Sequence, residues 1–204
     1  MIEIIQAAGW PIWPIILCSV IAIGIIGERF YTLRQNVVAP RDLLPRVVQE
    51  YRQKKSVTAE SLGRLASGSV LGRVLAAGLR NMKSSRDVMK ESIEEAGRGA
   101  AHELERFLTT LGTIATMAPL LGLLGTIIGM IEIFGASAPT GMTNPAALAH
   151  GISIALYNAA FGIIVAVPSL VFYRHFRARA ESLVVEMELQ AIKLVEIIHG
   201  ERAD

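Results

Sequence analysis

The chain has 204 residues, of which 52% are hydrophobic and 19% are charged, and its mean hydropathy is +0.45. This composition is too apolar for an ordinary soluble domain and too charged for a chain that lies wholly in lipid. The formal net charge is only +2 and the basic residues are interleaved with acidic ones, so the sequence does not indicate nucleic-acid binding.

Three uncharged runs account for the apolar excess, and each is long enough to cross a bilayer. They extend from Ile4 to Gly27, from Phe107 to Ile131 and from Gly151 to Tyr173. About 20 apolar residues span the hydrocarbon core. Pro14 is the predicted start of the first spanning helix, and the two tryptophans before it are typical of an interfacial aromatic belt. We therefore expect an all-α integral membrane protein with three transmembrane helices.

The basic residues indicate how these helices are oriented. None precedes Arg29 and none occurs from residue 107 to 173, whereas fifteen lie in residues 29–106 and five follow residue 173. Positive charge accumulates on the cytoplasmic side of membrane proteins. The sequence therefore predicts that residues 29–106 and the C-terminal tail are cytoplasmic, and that the N-terminus and the connection at 136–149 are external.

The segments outside the membrane are expected to be helical. Residues 41–52 resemble a short amphipathic helix interrupted by Pro45. Ser84 and Ser85 are candidate caps for one continuous helix that leads into the second span, with a possible weak point at Gly97 and Gly99. The tail after the third span has alternating four- and three-residue apolar steps, which are typical of a packing helix.

These patterns divide the chain into seven predicted segments. They are an external interfacial segment (1–13), the first transmembrane helix (14–34), a cytoplasmic helical domain (35–106), the second transmembrane helix (107–135), an external loop (136–149), the third transmembrane helix (150–173) and a cytoplasmic C-terminal helix (174–204).

One face of each of the last two spans carries small or polar residues. At 100° per residue these residues cluster on one side of each helix. Such faces are typical of closely packed membrane helices, but polar groups on them can also line a path through a bundle. Both interpretations are open at this point. The residues are Gly122, Gly125, Thr126 and Gly129 in the second span, and Gly151, Ala155, Asn158, Gly162 and Ser169 in the third, with possible kinks at Pro119 and Pro168.

Few side chains in the predicted spans can form strong hydrogen bonds or ionise. Asn158 must face protein or water, because an unpaired amide is costly in hydrocarbon. Glu132, near the outer end of the second span, is either a proton acceptor or a solvated residue at the mouth of the bundle. The motifs of hydrolases and nucleotide-binding enzymes are missing, and the histidines and the single cysteine have no metal-ligand spacing. We expect no enzyme, no metal and no cofactor.

Two segments resemble a known family. The sequences APLLGLLGTIIGMIEIF and GISIALYNAAFGIIVAVPSLVFYRHF, in a chain with three spans and a large loop after the first, resemble the ExbB/TolQ/MotA proton-channel family and are nearest to ExbB. The resemblance implies a bacterial inner-membrane protein whose N-terminus is periplasmic. It also implies a ring-forming homo-oligomer, a pentamer, that converts the proton gradient into mechanical work for outer-membrane transport or envelope maintenance.

The same resemblance implies partners. An ExbD/TolR-like single-span protein supplies a membrane aspartate, and force passes indirectly to a TonB- or TolA-like protein. Thr126 matches the pore threonine of the family, whereas Ala159 stands where a second pore threonine is usual and Ile154 where a glutamate is common. Asn158 or a bound water is our hypothesis for the missing hydroxyl. A non-conducting membrane scaffold and a flagellar-type stator subunit are the alternative functions.

Overall fold

A computed structural model describes residues 2–54, 57–137 and 145–200. Within these ranges the chain forms nine helices and no strand. Most of the predicted external loop (138–144) and the end of the predicted C-terminal helix (201–204) lie outside the described residues. The helices are α1 (Ile2–Ala8), α2 (Ile12–Thr32), α3 (Gln35–Val38), α4 (Leu43–Lys54), α5 (Ala59–Gly68), α6 (Val70–Arg80), α7 (Arg86–Leu104), α8 (Leu108–Ser137) and α9 (Pro145–Ile198).

Three helical stretches are long and apolar enough to cross a membrane. They are Ile12–Thr32, which is α2, Arg86–Gly135, which holds α7 and most of α8, and Leu148–Ile198, which holds most of α9. The packing divides the chain into two compact units. The span unit comprises Met1–Glu28 and Phe107–His175, and the charged unit comprises Arg29–Arg106 and Phe176–Asp204. The prediction of an all-helical chain with three spans is confirmed.

The third predicted span continues as a helix without interruption. α9 has 54 residues and includes Pro168, and the helix extends to Ile198. In the charged unit, Leu183, Met187 and Leu194 on α9 are fully buried, which confirms the packing face that the alternating apolar steps predicted.

The expectation of one unbroken helix leading into the second span is wrong. α7 ends at Leu104 and α8 begins at Leu108, with Phe107 between them in the left-handed region at φ 62°. Within the charged unit, Arg29 is buried and its Nη1 donates to the carbonyl oxygen of Leu104 at 3.1 Å. That bond satisfies a carbonyl that the end of a helix leaves without an intrahelical partner.

Two local predictions need adjustment. α7 begins at Arg86 after Ser85, as predicted, but the Ser85 side chain makes no capping hydrogen bond. Pro45 does not interrupt a helix, because it is the third residue of α4, where the first turn needs no N–H donor.

Close contacts also organise the charged unit. Ser69 caps α6 by accepting a hydrogen bond from the Gly72 backbone N–H at 3.0 Å. A Cβ at Gly72 would lie only 2.1 Å from the Leu65 carbonyl oxygen, so α5 and α6 approach each other at this glycine. Gly99, by contrast, has no neighbouring atom within 4 Å of a Cβ position.

We expect Gly72→Ala to destabilise the protein by about 1–3 kcal/mol, because the added methyl group overpacks the α5–α6 junction. Gly99→Ala is the matched control and should stabilise by about 0.5–1 kcal/mol through helix propensity. Thermal melting of the detergent-solubilised variants, followed by circular dichroism, measures both changes. Equal melting temperatures for the two variants would contradict the close approach at Gly72.

Candidate functional site

The central feature of the span unit is a contact between the backbones of α8 and α9. A Cβ at Gly122 would lie 2.8 Å from the carbonyl oxygen of Asn158, and one at Gly162 would lie 2.7 Å from that of Ala118. Real Cβ atoms essentially never approach other atoms this closely. Glycine is therefore required at both positions for the two helices to pack at this distance.

A second glycine pair repeats this arrangement nearer the start of α9. A Cβ at Gly129 would lie 2.5 Å from the Gly151 carbonyl oxygen, and one at Gly151 would lie 2.7 Å from the Gly129 carbonyl oxygen. Ala155 is in the same contact and is buried. The small faces of the two spans thus pack against each other within one chain, so these contacts support the packing interpretation for the glycines.

Asn158 lies inside this contact. Its side chain has no exposed surface, and its Nδ2 donates to the carbonyl oxygens of Ala8 at 2.7 Å and Ile154 at 2.8 Å. Gly125 packs directly on it, because a Cβ at Gly125 would lie 2.3 Å from the Asn158 Cβ. The sequence predicted that Asn158 faces protein or water, and within this chain α1, α8 and α9 enclose it.

Thr126 is the half-buried hydroxyl beside this contact. Its Oγ1 donates to the Leu123 carbonyl oxygen of its own helix at 2.6 Å. The hydroxyl hydrogen is therefore already engaged, and the lone pairs of Oγ1 remain available to accept a hydrogen bond. Ala159 stands where the resemblance led us to expect a second threonine, and it is also half-buried. Its Cα would lie 3.3 Å from a Cβ added at Gly122.

The other predicted site residues have simpler surroundings. Glu132 is exposed on α8. Ser169 is buried and donates to the Val165 carbonyl oxygen at 2.7 Å, so its hydroxyl is satisfied within α9. Pro119 and Pro168 lie inside α8 and α9, and a kink at either residue stays a prediction.

Sequence reasoning did not single out two exposed hydroxyls near the start of α8. Thr113 and Thr116 are exposed and donate to carbonyl oxygens of their own helix, which leaves their oxygens able to accept a hydrogen bond. A signal was available, because with Thr109 they follow the four- and three-residue spacing that places side chains on one helix face.

These groups bind by hydrogen bonds and do not titrate. Residues 107–131 and 151–173 contain no acidic, basic or histidine side chain. Among the residues that the structure describes, no three His, Cys, Asp or Glu side chains come together as a possible metal site.

The fold and the uncharged, hydroxyl-bearing spans define an all-helical membrane protein of three spans. Residues 66–189 match the MotA/TolQ/ExbB proton channel family, and the chain belongs to this family. It is 30% identical to the biopolymer transport protein exbB1 of Vibrio cholerae over 168 residues, which are 81% of this chain and 74% of that protein.

Two further relatives extend the comparison. A putative biopolymer transport protein, ExbB-like 3, of Synechocystis is 30% identical over 175 residues, covering 85% of this chain and 83% of the relative. The Tol-Pal system protein TolQ of Pseudomonas aeruginosa is 32% identical over 117 residues, covering 55% of this chain and 51% of the relative. The predicted family is therefore confirmed.

We expect Gly122→Ala to lower the stability of the span unit by about 1–3 kcal/mol, since its methyl group would overlap the backbone of α9. Gly135→Ala on the same helix is the control, because no atom lies within 4 Å of a Cβ position there. Thermal melting in detergent separates the two. If Gly122→Ala melts at the temperature of Gly135→Ala, the backbone contact between α8 and α9 is not as close as described.

Proposed function

We propose that this chain is the channel-forming subunit of a bacterial inner-membrane motor driven by the proton gradient. An ExbD/TolR-like single-span partner supplies the membrane aspartate, and the complex delivers work through a TonB- or TolA-like protein to outer-membrane transport or envelope maintenance. The observation that carries the proposal is the half-buried Thr126 hydroxyl, an acceptor on an otherwise uncharged span, in a member of a proton-channel family.

The role of Thr126 follows from the direction of its hydrogen bond. While its hydroxyl hydrogen is donated to Leu123, the oxygen can accept from the O–H of a protonated carboxylic acid, whereas donation to a carboxylate would first require breaking that bond. Thr126 therefore stabilises the neutral form of the partner's aspartate while that side chain passes through the low-dielectric region. The proton binds to and leaves the aspartate, and Thr126 itself does not titrate.

The energy available per proton sets the scale of the work. One elementary charge that crosses 100 mV releases about 2.3 kcal/mol. Several protons are therefore needed for each sizeable displacement or unfolding of a client. A ring of identical subunits around the partner offers several equivalent acceptor positions, which suits such repeated proton transfer.

The proposed orientation follows the distribution of charge. All twenty Lys and Arg residues lie in the two stretches 29–106 and 174–202. We place both stretches in the cytoplasm and the N-terminus in the periplasm.

A ridge of exposed apolar side chains supports the proposed homo-oligomer. Val185, Leu189 and Ile192 lie on one face of α9 and are 54%, 55% and 52% exposed. Residues 174–198 contain eight Lys, Arg, Asp or Glu side chains, which are costly to place in hydrocarbon. Lipid is therefore not expected to cover this ridge. Exposed apolar patches of this kind mark protein contacts.

We propose that a second copy of this chain binds to the ridge. Beside the ridge, the charged unit has an apolar groove of about 600 Å³ between α7 and α9, with Lys90 and Arg98 among its lining residues. Glu94, Glu188 and Ile192 line the same groove, so the ridge and the groove form one continuous surface that carries both signs of charge. A continuous exposed apolar surface of this kind favours contact between copies, and we propose that the copies close into a ring, a pentamer.

Thr126→Val is expected to lower proton uptake at least about tenfold, because it keeps the β-branched shape and removes the acceptor, a loss of about 1.4 kcal/mol. Thr126→Ser retains the hydroxyl and should stay near the wild-type rate. The measurement is dye-reported proton flux into liposomes that contain the complex purified with its single-span partner, under an imposed membrane potential.

Wild-type flux through an intact Thr126→Val complex would contradict the role of the hydroxyl. If the wild-type complex conducts no protons at any imposed potential, the chain is a scaffold and not a channel.

The double substitution Val185→Ser and Leu189→Ser should shift the detergent-extracted complex toward monomers, because each buried apolar side chain contributes about 1.5–3 kcal/mol. Native mass spectrometry measures the subunit number, and circular dichroism reports whether the helices are retained. Val88→Ser, at an exposed apolar residue on α7, is the control. An unchanged subunit number in the double variant would exclude the ridge as a contact between copies.

A further inference from the structure

The end of α1 is joined to α9 by one buried amide. α1 ends at Ala8, and Gly9 follows in the left-handed region at φ 71°, where its N–H donates to the Gln6 carbonyl oxygen. The Ala8 carbonyl oxygen is one of those that the end of a helix leaves without a partner. Asn158 on α9 donates to it at 2.7 Å, so a side chain distant in sequence caps α1.

The surroundings fix this amide in one orientation. Nδ2 faces two carbonyl oxygens, those of Ala8 and Ile154, so a rotated amide would place its oxygen against two acceptors. Ala8 and Ile154 are both buried, at 0% and 2% exposure. The bond is therefore shielded from water, and an apolar residue at position 158 would leave the Ala8 carbonyl buried without a partner.

The opposite side of the same amide rests on α8. A Cβ at Gly125 would overlap Asn158, at 2.3 Å from its Cβ and 2.5 Å from its Cγ, so the side chain lies directly on the α8 backbone. The next residue is Thr126. One side chain thus contacts the end of the N-terminal helix and the backbone beside the proposed acceptor.

We propose that Asn158 is a positioning residue that uses α1 to hold the backbone of α8, and with it the Thr126 hydroxyl, in place. This inference rests on the proposed function for its consequence in proton transfer, but the link between α1 and α9 is independent of conduction. Displacing α1 moves Asn158, and moving Asn158 releases Gly125 and the turn that carries Thr126. A displacement of about 1 Å at a reacting group is enough to slow a reaction many-fold.

The test distinguishes the effect of the Asn158 hydrogen bonds from the effect of its packing against Gly125. Gly125→Ala alone should overlap Asn158 and destabilise the protein. The double variant Gly125→Ala/Asn158→Gly adds a methyl group on α8 and removes the whole Asn158 side chain from α9, which relieves the overlap and deletes the amide. Asn158→Leu is a second variant that keeps a branched side chain of similar size and removes both donors.

Two measurements are made on the complete complex. Hydrogen exchange followed by mass spectrometry reports the opening of α1, and flux into liposomes reports proton transfer. We expect the double variant to melt at a higher temperature than Gly125→Ala alone. In the double variant and in Asn158→Leu, we expect α1 amides to exchange about tenfold faster and proton flux to fall about tenfold.

The outcomes distinguish this inference from the proposed function. Wild-type exchange in α1 of both variants would overturn the link between Asn158 and α1. Faster exchange with wild-type flux would overturn the positioning of Thr126 by α1. If Thr126→Val conducts normally, the proposed function fails, whereas the exchange measurement still decides whether Asn158 holds α1.

Discussion

The contact between the α8 and α9 backbones determines how the rest of the span unit is arranged. Gly122 and Gly162 face each other where any side chain would overlap a carbonyl oxygen of the other helix. Gly129 and Gly151 do the same nearer the start of α9. Helices in lipid gain little from burying apolar groups against each other, so close van der Waals packing of small residues is the main source of their association. Two pairs at different heights fix both the separation and the register of the helices.

This arrangement leaves the bulky side chains on the outside. Leu120, Ile131 and Phe134 on α8 are more than 60% exposed, as are Leu156 and Ile164 on α9. They are available to lipid or to other chains, whereas the small faces are already used within one protomer. In the proposed oligomer, a path between subunits would be lined by residues at the edge of the helix pair or outside it. Thr126 is at that edge, and Asn158 is not.

The sequence was sufficient for features that depend on local pattern. The length of the uncharged runs predicted the three spans. The four- and three-residue spacing of apolar residues after Tyr173 predicted that the third span continues as a helix. The break at Phe107 had no such signal, because neither glycine nor proline marks it. It depends on interactions between distant residues, among them the bond from Arg29 to the last turn of α7. The partner of Asn158 was unpredictable for the same reason, since Ala8 is 150 positions away.

Residues 107–131 and 151–173 contain no carboxylate, and the hydroxyl of Thr126 donates to its own helix. Both features have the same physical consequence. A carboxylate on every subunit of a ring would place several like charges close together in a medium of low dielectric, which is costly. A threonine whose proton is committed to its own helix avoids that cost and still distinguishes a protonated acid from its anion. In the proposed function, Thr126 must give up its bond to Leu123 before it can donate to the anion, whereas the neutral acid finds an acceptor at once. The proposed selectivity for a protonated partner requires that the oxygen keep its position, and we propose that the glycine contact together with Asn158 supports it.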